Sequence, residues 1–160
     1  MRRGLRHMSV VSATRAPKAV HQPSRSQQPG VVLGIRYEKR LTKELNLRLK
    51  GKDFTLEHNP WFFYKLSDGT TGACSPDILL HDNELGLTWV IEVKYTWVPD
   101  AIKKLTELYC PVVELATSRI TEPLVVVKRL TPDSPAPKLG LLTPNTSKLF
   151  QWPENGPIVL

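Results

Sequence analysis

Sulfur is scarce in this 160-residue chain: the two cysteines, Cys74 and Cys110, stand far apart and in no CxxC pair. That spacing excludes a disulfide framework and a cysteine-based zinc or iron–sulfur site, and it points to a reducing compartment. Long apolar runs are missing as well. No segment approaches the roughly 18 to 20 consecutive apolar residues that cross a bilayer, and no continuous apolar stretch of the secretory kind opens the chain. A soluble protein with no membrane partner is expected, with the cytoplasm as its location. Acids are absent from residues 1–30, which carry Arg2, Arg3, Arg6, Arg15, Lys18 and Arg25. The formal net charge of +7 is concentrated there, and the rest of the chain is near neutral. Bulk electrostatics therefore does not by itself make the chain a nucleic-acid binder, and site chemistry has to decide.

At this length, with 41% hydrophobic residues, one ordinary core is expected rather than two. Residues 1–30 show no hydrophobic period and read as a flexible basic arm: a solvated tail, a phosphate-holding segment or an organelle-targeting leader. Residues 31–131 read as the domain, and 132–160 as a Pro-rich extension in which Pro132, Pro135, Pro137 and Pro144 oppose regular structure. Within the domain, Gly34 to Lys50 is helical in pattern, with Leu41, Leu45 and Leu49 on one stripe and Gly51 as the stop. At roughly 100° per residue, Glu38 projects toward that stripe, so an acid faces the protein.

Trp61–Leu66 predicts a strand closed by Ser67-Asp68-Gly69, and a second strand runs through Cys74 to His81. After a turn at 81–86, Leu87–Lys94 predicts a third, rich in β-branched and aromatic residues. Pro99 opens an amphipathic helix through Ile102, Leu105, Tyr109, Val112 and Ala116, kinked at Pro111, and Leu124–Leu130 is a short buried strand. The expected fold class is α+β, in the order αβββαβ, with a central mixed sheet flanked by helices.

Strand alternation places Val90, Glu92 and Lys94 on one face of the third strand. A carboxylate and an ammonium two residues apart on a central strand are costly to bury unless they serve each other or a ligand. Pro76 removes a ladder donor just before Asp77, and a hairpin turning near Asn83 and Glu84 sets position 77 opposite the region of 90 to 92. Two carboxylates can then share one cation, and hard oxygen donors of this kind suit Mg²⁺ or Mn²⁺.

Ser75-Pro76-Asp77, fourteen intervening residues, then Glu92-Val93-Lys94 resembles the signature of the PD-(D/E)XK nucleases, the restriction-endonuclease-like superfamily, over roughly residues 34–130. The resemblance implies that Asp77 and Glu92 bind the catalytic metal, with the Val93 carbonyl as a further ligand. It implies that Lys94 positions the attacking water or offsets phosphate charge, and that Glu38 brings an acid from the first helix. The activity so implied is Mg²⁺-dependent hydrolysis of phosphodiester bonds in DNA, in the style of phage, transposon or resolvase-like endonucleases. An inactive nuclease-fold subunit that binds DNA within a recombination or packaging complex is the alternative. So small a chain leaves specificity to DNA shape, a homodimer or a partner subunit.

Each residue has a plainer role as well. Glu38 can pair with Arg36 or Lys39, and His58 can be an ordinary turn histidine. Tyr95 and Trp97 can stack on bases or pack the core. Lys103 and Lys104 project away from the apolar stripe of their helix, to meet a DNA backbone or only solvent.

Overall fold

The computed structural model describes residues 8–17 and 28–129, together with the strand backbone at 140–141 and 148–151. Helix α1 (Pro29–Leu49) opens the domain. It starts five residues before the expected Gly34 because Pro29, which reads as a breaker in sequence, sits in the first turn, where its missing N–H costs nothing. Past its end Gly51 takes φ +80, a left-handed turn that only glycine adopts freely.

Among the described residues nine strands form two sheets. β1 (Val10–Arg15), β3 (Phe62–Leu66) and β4 (Thr71–Cys74) form a small sheet in the order β1-β3-β4. The larger sheet is mixed, in the order β2-β5-β6-β7-β9-β8, from β2 (Phe54–His58), β5 (Ile78–Asp82), β6 (Leu87–Thr96), β7 (Ile120–Arg129), β8 (Gly140–Leu141) and β9 (Lys148–Gln151). β2, β5 and β6 pair antiparallel, whereas β6, β7 and β9 run parallel. Between β6 and β7 the chain crosses over through α2 (Asp100–Lys104), a π-helical turn (Leu105–Tyr109) and α3 (Cys110–Thr117). The kink expected at Pro111 takes the form of this wide turn. A proline ring clashes with the carbonyl four residues back, and a π turn relieves the clash without ending the helix.

The helices cover opposite faces of the large sheet. Tyr37, Leu41 and Leu45 of α1 pack on Ile78, Leu80, Trp89, Ile91, Val93, Leu124 and Val126. On the other face Leu79, Val90, Val125 and Val127 meet Leu105, Val112 and Val113 of the crossover, with Phe62 and Cys74 from the small sheet. The mixed α+β architecture with a helix-flanked sheet is thus as expected, but its strands divide differently. The segment through Cys74 to His81 is two strands in two sheets, because Ser75-Pro76 breaks the ladder and turns the chain from one sheet to the other.

Four strands, β1, β2, β8 and β9, went unread in the sequence. β2 is short and half polar, and β1 lies in the segment taken for the flexible arm. β1 is held by its ladder to β3 and by Arg15, whose guanidinium grips Glu57 of β2, which in turn accepts from His81 Nε2 at 2.6 Å. Within the Pro-rich extension, β8 and β9 extend the large sheet. The rest of the expected arm, residues 1–7 and 18–27, and the rest of 130–160 lie outside the described residues. No helix among the described residues is long and apolar enough to cross a membrane.

Leu41 is fully buried where α1 meets β5 and β6. Leu41→Ala should lower stability by about 2–5 kcal/mol, read from the midpoint of urea unfolding followed by circular dichroism.

Candidate metal centre

Asp77 is fastened by its backbone and its side chain at once. Its carbonyl accepts the Asn59 N–H at 2.9 Å, and its Oδ2 accepts the Val93 N–H at 2.7 Å. The β5–β6 ladder ends with Ile78 opposite Ile91, so one step further Asp77 comes level with Glu92. Period-two alternation puts Asp77 on the face of Leu79, and Glu92 and Lys94 on the face of Val90. Leu79 and Val90 share one cluster, so the two acids and the lysine lie on the same side of the sheet. In an extended strand a residue's N–H and C=O point to the same edge, so the Val93 carbonyl also faces the Asp77 side.

Glu92 is the most buried charge in the described structure, with 1% of its surface exposed. Its Oε1 meets Lys94 Nζ at 2.7 Å and Lys104 Nζ at 3.5 Å. Its Oε2 is buried and has no hydrogen-bond partner. An ionised oxygen in that position is costly unless a cation or a proton donor meets it.

Glu38 comes from the other side of the sheet and is also buried. Its Oε1 receives His58 Nε2 at 2.7 Å and the Asn59 side-chain amide at 3.2 Å, not Arg36 or Lys39. Asn59 holds this position with φ +51, a left-handed backbone that asparagine tolerates better than most residues. Glu38 is near enough for its charge to act on Asp77. Burial first, then the charges of Glu92 and Glu38, raise the Asp77 carboxyl to about 7, against the opposing pull of the Val93 N–H and Lys94.

All four side chains singled out from sequence therefore gather at one end of the sheet, but they do not form a finished cage. Among the described residues no three His, Cys, Asp or Glu side chains stand as a ready cation site. One oxygen of each acid is already engaged by Val93, Lys94, or His58 with Asn59. The residues nevertheless fit a hard divalent cation. The unpartnered Glu92 Oε2 and the mutual repulsion that raises Asp77 are both relieved by positive charge at this point.

Two residues of the site escaped the sequence. Lys104 was read as pointing away from the core, yet its long stem returns the ammonium to Glu92, over the Tyr109 ring at 4.6 Å. Tyr109 lies in the π turn, and burial together with the charges of Glu92 and Asp77 pushes its phenol well above the usual range, so it stays neutral. The signal for Lys104 was its place one turn into the helix after the motif strand. Trp97 is core, whereas Tyr95 is half-buried at the surface. Lys103 is exposed. Cys74 and Cys110 are buried free thiols, each raised to about 12 chiefly by burial, and neither is a nucleophile at neutral pH.

The raised Asp77 carboxyl has a stability signature. Its ordinary value is 3.8, so its contribution is fully present below about pH 4 and is lost as pH rises through about 7. In metal-free buffer Asp77→Asn should melt higher than the wild type at pH 8, and the gap should close by pH 5. Thermal melts across that range check this.

No known protein family matches the chain, and no curated protein does. Among solved structures, that of a Type III CRISPR defence DNA nuclease activated by cyclic oligoadenylate is similar over 82% of this chain and 20% of that one, at 16% identity and a TM-score of 0.49. This chain thus spans about a fifth of that protein's length, and a likeness of that degree carries no argument about activity.

Proposed function

We propose that this chain is a divalent-metal-dependent phosphodiesterase of the PD-(D/E)XK type that acts on DNA. The observation that carries the proposal is the buried Glu92, level with Asp77 on the next strand, with one oxygen unpartnered and Lys94 at 2.7 Å from the other. An ion pair kept only for stability would be cheaper as a pair of apolar residues in this position.

Asp77 and Glu92 would hold Mg²⁺ or Mn²⁺, with the Val93 carbonyl and Glu38 completing the donor set. When bound, such an ion supplies an acidified water and neutralises charge on the scissile phosphate. Lys94, one-third exposed, can turn from Glu92 toward a phosphate oxygen or an attacking water while remaining in the same pocket of charge. Lys104 adds a second ammonium on the helix side, and Tyr109, held neutral, presents no competing charge. His58 and Asn59 orient Glu38.

One observation favours a second reading. With one oxygen of each acid committed and no ready cage, the chain could bind DNA as a subunit without cutting it. The two readings part on metal binding.

Calorimetric titration with Mn²⁺ should give saturable heat for the wild type and none for Asp77→Ala. Plasmid or branched DNA should be cut in Mg²⁺, with losses of about 10²-fold or more for Lys94→Ala and complete loss for Asp77→Ala. Asp77→Ala should melt near or above the wild type, whereas Lys94→Ala, which leaves Glu92 with only Lys104 at 3.5 Å, should melt lower, and circular dichroism checks that both are folded at the assay temperature. Cutting that survives in both variants would overturn the assignment, and wild-type protein that binds DNA without Mn²⁺ heat would favour the subunit.

A further inference from the structure

On the shoulder of α1 opposite Glu38 lies a pocket of about 160 Å³, lined by Leu33, Arg36, Tyr37, Arg40, Tyr95 and Lys128. At roughly 100° per residue, Arg36 and Arg40 fall on one side of Tyr37 and Glu38 on the other, so α1 separates the pocket from the acids. None of the described residues that line it is acidic, and three are cationic. Tyr95 is half-buried and stands edge-on to Tyr37, with ring centroids 6.1 Å apart. Lys128 Nζ and Arg129 Cζ lie 5.8 and 5.3 Å from the Tyr95 centroid.

The pocket is at the same end of the sheet as the acids. Tyr95 follows Lys94 on β6, and the parallel register that sets Lys94 beside Val127 brings Tyr95 level with Lys128 on β7. The strands of Asp77 and Lys128 are two spacings apart, about 10 Å, and Tyr95 lies three residues past Glu92, about 10 Å further along β6. Tyr95 faces α1 with Val93, whereas Glu92 and Lys94 face the crossover helices. A polynucleotide running from the acids to this pocket therefore rounds the end of the sheet over several nucleotides.

Cations around an aromatic ring match a nucleotide in both of its parts: phosphate for the cations, a base face for the ring. Duplex DNA keeps its bases stacked inside and would offer so narrow a pocket only its backbone. A single strand can turn a base outward.

We propose that this pocket binds a nucleotide of a single-stranded DNA segment, its base against Tyr95 and its phosphates among Arg36, Arg40 and Lys128. The nuclease proposal supplies the direction in which that strand leads; the binding itself needs no metal. The substrates so favoured are DNAs with a single-stranded end, flap or gap beside the cut.

The test is fluorescence anisotropy of full-length protein in EDTA, with a labelled oligothymidylate and a blunt duplex of equal length. Wild-type protein should bind the single strand about tenfold or more tightly than the duplex. Tyr95→Ala should lose about tenfold on the single strand, and Tyr95→Phe should retain binding. Lys128→Glu, at the rim, should lose at least as much and serves if Tyr95→Ala folds poorly. Arg36→Ala with Arg40→Ala should reduce the slope of log affinity against log salt by about 1.4, or ~0.7 for each lost phosphate contact. Equal affinity for duplex and single strand, or full binding by Lys128→Glu and a natively folded Tyr95→Ala, overturns the proposal. Protein that binds the oligomer in EDTA but gives no Mn²⁺ heat supports the pocket and refutes the metal centre, so the two failures are distinct.

Discussion

The 2.7 Å hydrogen bond from the Val93 N–H to Asp77 Oδ2 governs the geometry of the whole site. It joins β5 to β6 just past the point where their regular ladder stops, and it does so through a side chain instead of a carbonyl. Pro76 makes the substitution possible, since the chain arrives from another sheet and has no N–H to give there. Once Asp77 is hooked in this way, Glu92 cannot avoid it, and the nearby Glu38 adds a third negative charge. The fold holds these groups together against their repulsion because the surrounding core, from Tyr37 and Leu41 on one face to Leu105 and Val112 on the other, is well packed.

That balance sets three acids at one end of an otherwise well-buried sheet. Three lysine, histidine and asparagine contacts soften the repulsion, each engaging only one oxygen of its acid. The arrangement is fixed in position while the Glu92 Oε2 has no hydrogen-bond partner. The same economy explains why Tyr109 comes from a π turn and Lys104 from the residue just before it. The wider turn shifts the helix face just where it passes the acids.

How much of this could be read in the residues depended on local periodicity. Asp77, Glu92 and Lys94 were legible because strand alternation is rigid and a Pro-Asp step next to it has few other uses. Glu38 was legible because an acid on a leucine stripe breaks the helical pattern. Its true partners, His58 and Asn59, were not, since they lie at the end of β2 and just past it, and the alternation of Phe54, Leu56 and polar neighbours in β2 is too short to stand out. β1 was hidden for a related reason: it is short, its apolar residues do not alternate, and its pairing with β3 is long-range. Lys104 was misread because its flexible stem can return toward the sheet from an exposed backbone position.

The parallel pairing of β6 with β7 across the α2–α3 crossover has a kinetic implication. β6 carries both Glu92 and Lys94, yet one whole edge of it stays unpaired until residues 120–129 are available. Contacts of such sequence separation form slowly and only after loop-closure entropy is overcome. On a growing chain the local β5–β6 hairpin can set Asp77 beside Glu92 early, whereas the sheet that buries the two acids is completed only once synthesis has passed Arg129.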